Sequence, residues 1–295
     1  MTNNPQLPVG EAPPHPQTRP RVAPPSGSCD AHLHFIAADP NFPLWAGRVE
    51  DPASGDFDEW MVRLEAHLEA LGMDRVVVVH SILFGDDNAI TLAAVQKLGL
   101  KRARAICLVA DDVDNASLDA MANAGAAGVR LNYVHGGVLS WAGAQAMAPR
   151  LAERDMHIQM LANAAEHLEE IAGNIAALPV PVVFDHIGWP DLARGVEEPG
   201  FAKLLRLVAD GHAYVKLSGL YRFCDEPYAA ADEAVASLIA ANADNCLWGS
   251  DWPHIMRADA PMPSGGAMLD ALMRVASSEQ LERILVTNPR RIYRF

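Results

Sequence analysis

From about residue 29 to the end of the chain, short apolar runs alternate with longer segments of helical spacing. The short runs are rich in Val, Ile, Leu and Ala, as expected of strands buried on both faces. They lie near 29–35 (CDAHLHF), 75–80 (RVVVVH), 103–109 (ARAICLV), 128–133 (GVRLNY), 157–161 (HIQML), 180–186 (VPVVFDH), 213–218 (AYVKLS) and 245–251 (NCLWGSD). Between them, 57–71, 164–178, 200–209 and 228–241 place apolar residues close to i, i+3 and i+4, the period of one buried helical face. Eight strands alternating with helices predict a parallel sheet covered by helices. A chain of 295 residues is long enough to close eight such units. The expected fold is therefore α/β, a (β/α)₈ TIM barrel forming one domain over 28–295. The segment 36–56, with Pro40, Pro43, Trp45 and Pro52, is the longest irregular connection and follows the first strand, a position from which it could cover a site.

Residues 1–27 break the pattern. They carry Pro5, Pro8, Pro13, Pro14, Pro16, Pro20, Pro24 and Pro25 and lack the basic start and apolar stretch of a secretory signal. They read as an extended arm, either mobile or wrapped on a surface. The formal net charge is −14 with no basic run, which argues against nucleic acid and against a polybasic membrane site. The longest apolar run, around Val76–Val79, is far too short to span a bilayer. Cys29, Cys107, Cys224 and Cys246 form no CxxC pair and read as free thiols, which suits a reducing cytoplasm. The expected partner is a small molecule. Oligomeric state is not legible, and a homo-oligomer with the arm crossing to a neighbour stays open.

Barrels of this kind carry their chemistry at the C-terminal ends of the strands. That rule sorts the eleven histidines. His32, His34, His80, His135, His186 and His254 fall at or just after strand ends. His67 and His167 fall within helices and are expected to be solvated. His157 and His212 lie at the opposite face, and His15 in the arm. Strict alternation puts His32 and His34 on one face, with Asp30 deeper on that face, placed to orient them. Two imidazoles aimed into one barrel are hard to explain by packing, whereas His80 or His135 alone suits packing as well as function. His186 and Asp251 end strands that converge on the same axis. Arg130 shares a face with Asn132 near the end of the fourth strand. A guanidinium inside an apolar barrel needs an anion, and a substrate carboxylate matches its fork. Arg222 follows the seventh strand and reads equally as a surface charge.

Four motifs together carry a resemblance. They are His32-x-His34, Phe184-Asp185-His186-x-Gly188-x-Pro190-Asp191, Trp248-Gly249-Ser250-Asp251-Trp252-Pro253-His254, and the closing Asn288-Pro289-x-Arg291-x-Tyr293. In this order at strand ends, they resemble the amidohydrolase superfamily, in the branch that holds 2-pyrone-4,6-dicarboxylate lactonase, muconolactone hydrolases and sugar lactonases. The resemblance covers residues from about 28 to the end. It implies a hydrolase that opens a small carboxylated lactone in the catabolism of aromatic or sugar acids. On its terms His32, His34 and His186 are catalytic, Asp251 activates water, and Arg130 and Arg222 hold a substrate carboxylate. Asn132, His80, Tyr221 and His254 complete the expected substrate shell. The chain departs from the pyrone lactonase at Tyr133-Val134-His135, where a second Arg is expected, at Gln159 in place of a strand-five Tyr, and in the first loop at Arg48-Val49-Glu50. A related anionic lactone is therefore a better expectation than the pyrone dicarboxylate itself.

Arg130 stands where many amidohydrolases have a carbamylated Lys, and the fifth strand ends without His, so a binuclear metal centre is not expected. No metal is expected to be obligatory. The alternative is one divalent ion such as Zn or Mn on His32, His34, Asp251 and His186. Two other readings stand beside the lactonase: a metal-dependent decarboxylase of an unsaturated carboxylate on the same scaffold, and a non-catalytic anion-binding barrel.

Overall fold

A computed structural model describes residues 7–257 and 260–295; Pro5 of the arm lies outside them. Among the described residues, eight strands alternate with helices. The first half runs β1 (Cys29–Leu33), α1 (Phe57–Leu71), β2 (Arg75–Val79), α2 (Ala89–Leu98), β3 (Ala103–Cys107), α3 (Asn115–Asn123), β4 (Ala126–Asn132) and α4 (Trp141–Ala152). The second runs β5 (His157–Leu161), α5 (Ala164–Ile175), β6 (Val182–Phe184), α6 (Pro199–Ala209), β7 (Ala213–Leu217), α7 (Asp232–Asn242), β8 (Cys246–Trp248) and α8 (Gly265–Val275). The strands pair in parallel in sequence order from β1 to β8. The ring closes just beyond β8, where Asp251 N donates to His32 O at 2.8 Å and His34 N donates to Trp252 O at 2.7 Å. This is the (β/α)₈ barrel that the alternation predicts.

The strands bury both faces. Val76 and Val78 pack outward with helix residues such as Leu64 and Leu68. Val77 and Val79 join Ile106, Val183 and Leu247 inside the barrel. Ile292 and Tyr293, on the C-terminal helix Asn288–Tyr293, close that inner cluster from below.

Strict alternation fails in β1. Cys29 and Ala31 belong to the inner cluster, and the register with β2 shifts between Asp30 and Leu33. The irregularity resets the phase, so His32 and His34 face inward beyond it while Asp30 does not share their face. Instead Asp30 accepts from Ser250 N at 3.0 Å and Ser250 Oγ at 2.5 Å. It also lies 3.5 Å from Nε2 of His67 on α1. His67, expected to be solvated, is 2% exposed and stacks on Trp252. Asp30 and His67 thus brace the turn that carries Asp251 from behind.

The arm lies on its own barrel. Gly10 N donates to Asp51 O, and Asp51 N to Pro8 O. Glu11 pairs with Arg257 at 2.9 Å, and Arg21 N donates to Asp270 of α8. The 36–56 connection is held between the arm and the segment after β8. Cys29, Cys107 and Cys246 are buried free thiols. No helix among the described residues is long and apolar enough to cross a membrane.

Gly249 lets β8 approach β1: an added Cβ would sit 2.4 Å from His32 Cβ and 2.6 Å from His32 N. Gly249→Ala is therefore expected to destabilise the fold by about 1–3 kcal/mol. Gly173→Ala in α5, where nothing lies within 4 Å, should instead stabilise it by about 0.5–1 kcal/mol. Urea unfolding of the two variants checks the opposite signs.

Candidate active site

β1, β6 and β8 deliver one compact cluster at the C-terminal mouth. The rings of His32 and His34 stand edge to face at 5.2 Å, and His186 lies 4.7 Å from His32. Asp251, fully buried, faces all three. Its Oδ2 accepts from Tyr221 OH at 2.7 Å, Arg222 Nε at 3.0 Å and Arg222 Nη2 at 2.8 Å. Its Oδ1 has no hydrogen-bond partner among the described residues and lies 3.4 Å from His34 Nε2 and 3.6 Å from His32 Nε2. Burial raises this carboxyl, but Arg222 and His186 outweigh it and hold it well below the ordinary carboxylate range.

Backbone strain gathers at the same loops. Asp251, His254 and Met256 have φ of 60°, 67° and 55°, and His186, Ile187 and Trp189 lie near 50°. Non-glycine residues in this region cost about 1–3 kcal/mol each and persist only where surroundings enforce them. Here the barrel closure and the bonds to Asp251 do so.

Beneath the cluster lies a buried charged layer. Asp185 Oδ2 accepts from Arg130 Nε at 3.2 Å and Gln159 Nε2 at 3.1 Å. Lys216 Nζ donates to Gln159 Oε1 at 2.5 Å, lies 3.2 Å from His32 Nδ1 and 3.5 Å from Asp185 Oδ1. Burial pulls Lys216 down to about 8 against the attraction of Asp185, so it remains an ammonium at neutral pH. Asp185 is raised by burial, yet His32, Lys216 and Arg130 hold it well below its usual range.

The structure brings together His32, His34, His186, Asp251, Tyr221 and Arg222, with Arg130 and Asn132 beside them. It changes the partners of the arginines. Asp185 already supplies the anion that Arg130 needs, and Arg222 is bound to Asp251 rather than standing free. Asn132 Oδ1 accepts from His135 N and so shapes the turn after β4. Two expected shell residues lie elsewhere. His80 uses Nδ1 on Thr91 Oγ1 at 2.8 Å and Nε2 on Gly85 O at 3.1 Å, which commits it to bracing the connection to α2. His254 packs on Tyr221 and lines a neighbouring cavity of about 320 Å³ with Glu50 and Arg257.

The cleft over the cluster is lined by His34, Arg130, Asn132, His135, Trp189 and Met256, among others, and its free space is about 30 Å³. That is roughly the volume of one water molecule. Ile255 and Met256 line both the cleft and the larger cavity. Sequence reasoning gave no role to Asp185, Gln159, Lys216 and Trp189. Asp185 and Lys216 carry a signal all the same, as charges within or beside strands that are otherwise apolar.

The donor types suit a divalent cation. His32, His186 and Asp251 each offer an atom within 4.8 Å of the others, all buried. His32 Nε2 and Asp251 Oδ1 are both unpartnered among the described residues. His34 donates Nδ1–H to Val79 O at 2.8 Å, leaving Nε2 towards Asp251. Two lone pairs do not face each other at 3.4 Å without a proton or a cation between them.

Residues 29–295 match the protein family described as amidohydrolase. The chain belongs to the amidohydrolase family. Among the relatives of this amidohydrolase, a 4-sulfomuconolactone hydrolase from Hydrogenophaga intermedia is 34% identical over 280 residues, covering 92% of this chain and 90% of the other. A 2-pyrone-4,6-dicarboxylate hydrolase from Comamonas testosteroni is 31% identical over 290 residues, covering 94% and 93%. A crystal structure from Pseudomonas putida, provisionally named a 2-pyrone-4,6-dicarboxylic acid hydrolase, superposes with a TM-score of 0.74 at 27% identity, covering 90% and 97%.

Burial pulls His80 and His186 of this amidohydrolase down to about 4, and His157 and His254 to about 3. Unfolded, they titrate near 6.5. Between pH 6.5 and 4 the unfolded chain takes up protons that the native state refuses, so stability is complete above pH 6.5 and falls as pH drops. Each such histidine contributes a slope of up to about 1.4 kcal/mol per pH unit. Urea unfolding at pH 8, 6 and 5 measures it, and equal stability at all three would contradict the neutral burial.

Proposed function

We propose that this amidohydrolase opens a small carboxylated lactone with water. The observation that carries the reading is Asp251. It is a buried, ionised carboxylate with one oxygen held by Tyr221 and Arg222, near His186, and the other open towards the imidazoles of His32 and His34. Relatives that are lactone hydrolases at 31–34% identity support the reaction class. In this reading the protein acts in the cytoplasm on anionic lactones from aromatic or sugar acid breakdown.

Arg130 and Asn132 line the cleft and orient the substrate anion. The lactone carbonyl sits against the imidazoles, which stabilise the developing oxyanion. Asp251 Oδ1 takes a proton from the attacking water and returns it to the leaving oxygen as the ring opens. A carboxylate bound by an arginine is a weak base. A substrate anion that draws Arg222 from Asp251 raises the proton affinity of Asp251 only when the site is filled. Ile255 and Met256 line both this cleft and the neighbouring larger cavity, so their side chains help set the room for a substrate. The reaction in this reading needs no metal. Where a divalent ion such as Zn or Mn is bound, His32, His186, Asp251 and His34 are the residues to hold it, and it would supply Lewis acidity for the carbonyl.

The test is proton release at constant pH, with and without a strong chelator, from sulfonated and carboxylated muconolactones, pyrone dicarboxylate and acidic sugar lactones. Asp251→Asn should lower kcat by about 100- to 10,000-fold. Arg130→Met should weaken kcat/KM by about 10- to 100-fold, the value of a charge-assisted contact. Carbon dioxide evolution from unsaturated carboxylates, with no proton release from any lactone, would favour the decarboxylase reading instead.

A further inference from the structure

Most of the free space at the mouth of the barrel is not over the histidines. The cleft there has about 30 Å³, the room of roughly one water molecule, whereas the cavity beside it has about 320 Å³. The two adjoin along Ile255 and Met256, which line both. Three stretches wall the larger space: residues 8–11 of the arm, Glu50 and Ala53 of the first connection, and residues 254–257 after β8. Each is tied to another. Gly10 N donates to Asp51 O, Met256 N donates to Glu50 Oε1 at 3.0 Å, and Glu11 pairs with Arg257. A ligand that reaches beyond the cleft therefore meets walls that are already held in place.

The charges of these walls do not favour a second anion. All three nitrogens of the Arg257 guanidinium are in use: Nε donates to His254 O at 2.9 Å, Nη1 to Ala260 O, and Nη2 to Glu11 Oε2 at 2.9 Å. Glu11 and Arg257 balance each other, whereas Glu50 makes no ion pair among the described residues. Met256 N takes Oε1 of Glu50 and leaves Oε2 as an acceptor. His254 is 4% exposed, and its Nδ1 has no hydrogen-bond partner among the described residues. It is a neutral imidazole, with one donor and one acceptor. A hydroxyl group, which both gives and takes a hydrogen bond, is matched by this pair. An anion put there would instead face Glu50 in a partly enclosed space, where water screens like charges poorly.

We infer that this cavity is a subsite for the outer part of the substrate, and that Glu50 selects hydroxyl groups there over a second carboxylate or sulfonate. The inference rests on the lactonase reading for the substrate anion at Arg130. It narrows the substrate class to a lactone with one negative charge and several hydroxyls. The mouth is divided accordingly: Arg130 lines the cleft, Glu50 lines the cavity, and Ile255 and Met256 are common to both. An anionic group is held at one end, and a neutral polar group meets Glu50 and His254 at the other. Glu50 is thereby a specificity-determining residue, and the arm, through residues 8–11, is part of the substrate site.

The experiment is calorimetric titration of the full chain at pH 8 with two probes that carry no ester. One is quinate, a cyclohexane ring with a single carboxylate and several hydroxyls; the other is cis-cyclohexane-1,3-dicarboxylate. Quinate should bind about 10-fold more tightly, the effect of one unfavourable charge contact. Glu50→Gln keeps an acceptor for Met256 N and removes the charge. It should weaken quinate by about 3- to 10-fold, the difference between a charged and a neutral acceptor, and should tighten the dicarboxylate. A purely structural role for Glu50 would weaken both probes together, and that result would overturn the proposal. Equal or tighter binding of the dicarboxylate by the unsubstituted protein would overturn it too, as would failure to bind quinate. If Glu50→Gln does not fold, the preference of the unsubstituted protein decides alone. Because neither probe can be hydrolysed, absence of lactone turnover with this binding pattern intact would count against the lactonase reading only.

Discussion

Two buried carboxylates govern this barrel. Asp185 and Asp251 are both fully buried, and neither could stay ionised there without a cation in contact. Arg130 and Lys216 answer the first, and Arg222 the second. Each pairing crosses between strands: β4 and β7 to the end of β6, and the loop after β7 to the turn after β8. Charge compensation thus joins different strands of the barrel and orients the imidazoles between them. Loss of any one partner would leave an uncompensated charge in the interior, which is why the layer beneath the site and the site itself behave as one unit.

The same network explains why the cluster tolerates strain. Asp251 and His186 hold left-handed backbone conformations that an isolated loop would abandon. Barrel closure through His32 O and Trp252 O, together with Asp30 and His67 behind Ser250, supplies the enforcement. The candidate site and the stability of the barrel therefore share residues here. Against a net charge of −14 for the whole chain, the buried layer is balanced within itself: Arg130, Lys216 and Arg222 face Asp30, Asp185 and Asp251.

Much of the fold was legible because its periodicities are local. α1 falls on the predicted 57–71 and β5 on 157–161, since each is bounded by its own turn and capping residues. The strands before the loops of the candidate site end earlier than predicted: β6 stops at Phe184 and β8 at Trp248. The apolar run itself ends at Phe184 and at Trp248, and the polar residues Asp185, His186 and Asp251 lie on the turns that follow. His80 was misplaced for a related reason. Its position at the end of β2 is correct, but Thr91 and Gly85, which occupy both its nitrogens, come from a connection whose path no local pattern reveals.

By itself the sequence determined the barrel and the strand ends at which His32, His34, His186 and Asp251 meet, because alternation and strand order are properties of neighbouring residues. Tertiary structure decided the pairings: Arg222 on Asp251, Arg130 and Lys216 on Asp185, and Asp30 turned out of the barrel towards His67. Hydrogen bonds and ion pairs depend on distances of a few tenths of an ångström between residues as far apart in sequence as His32 and Lys216. Only closure of the sheet, with its register shifts between β1 and β2 and between β3 and β4, sets those distances.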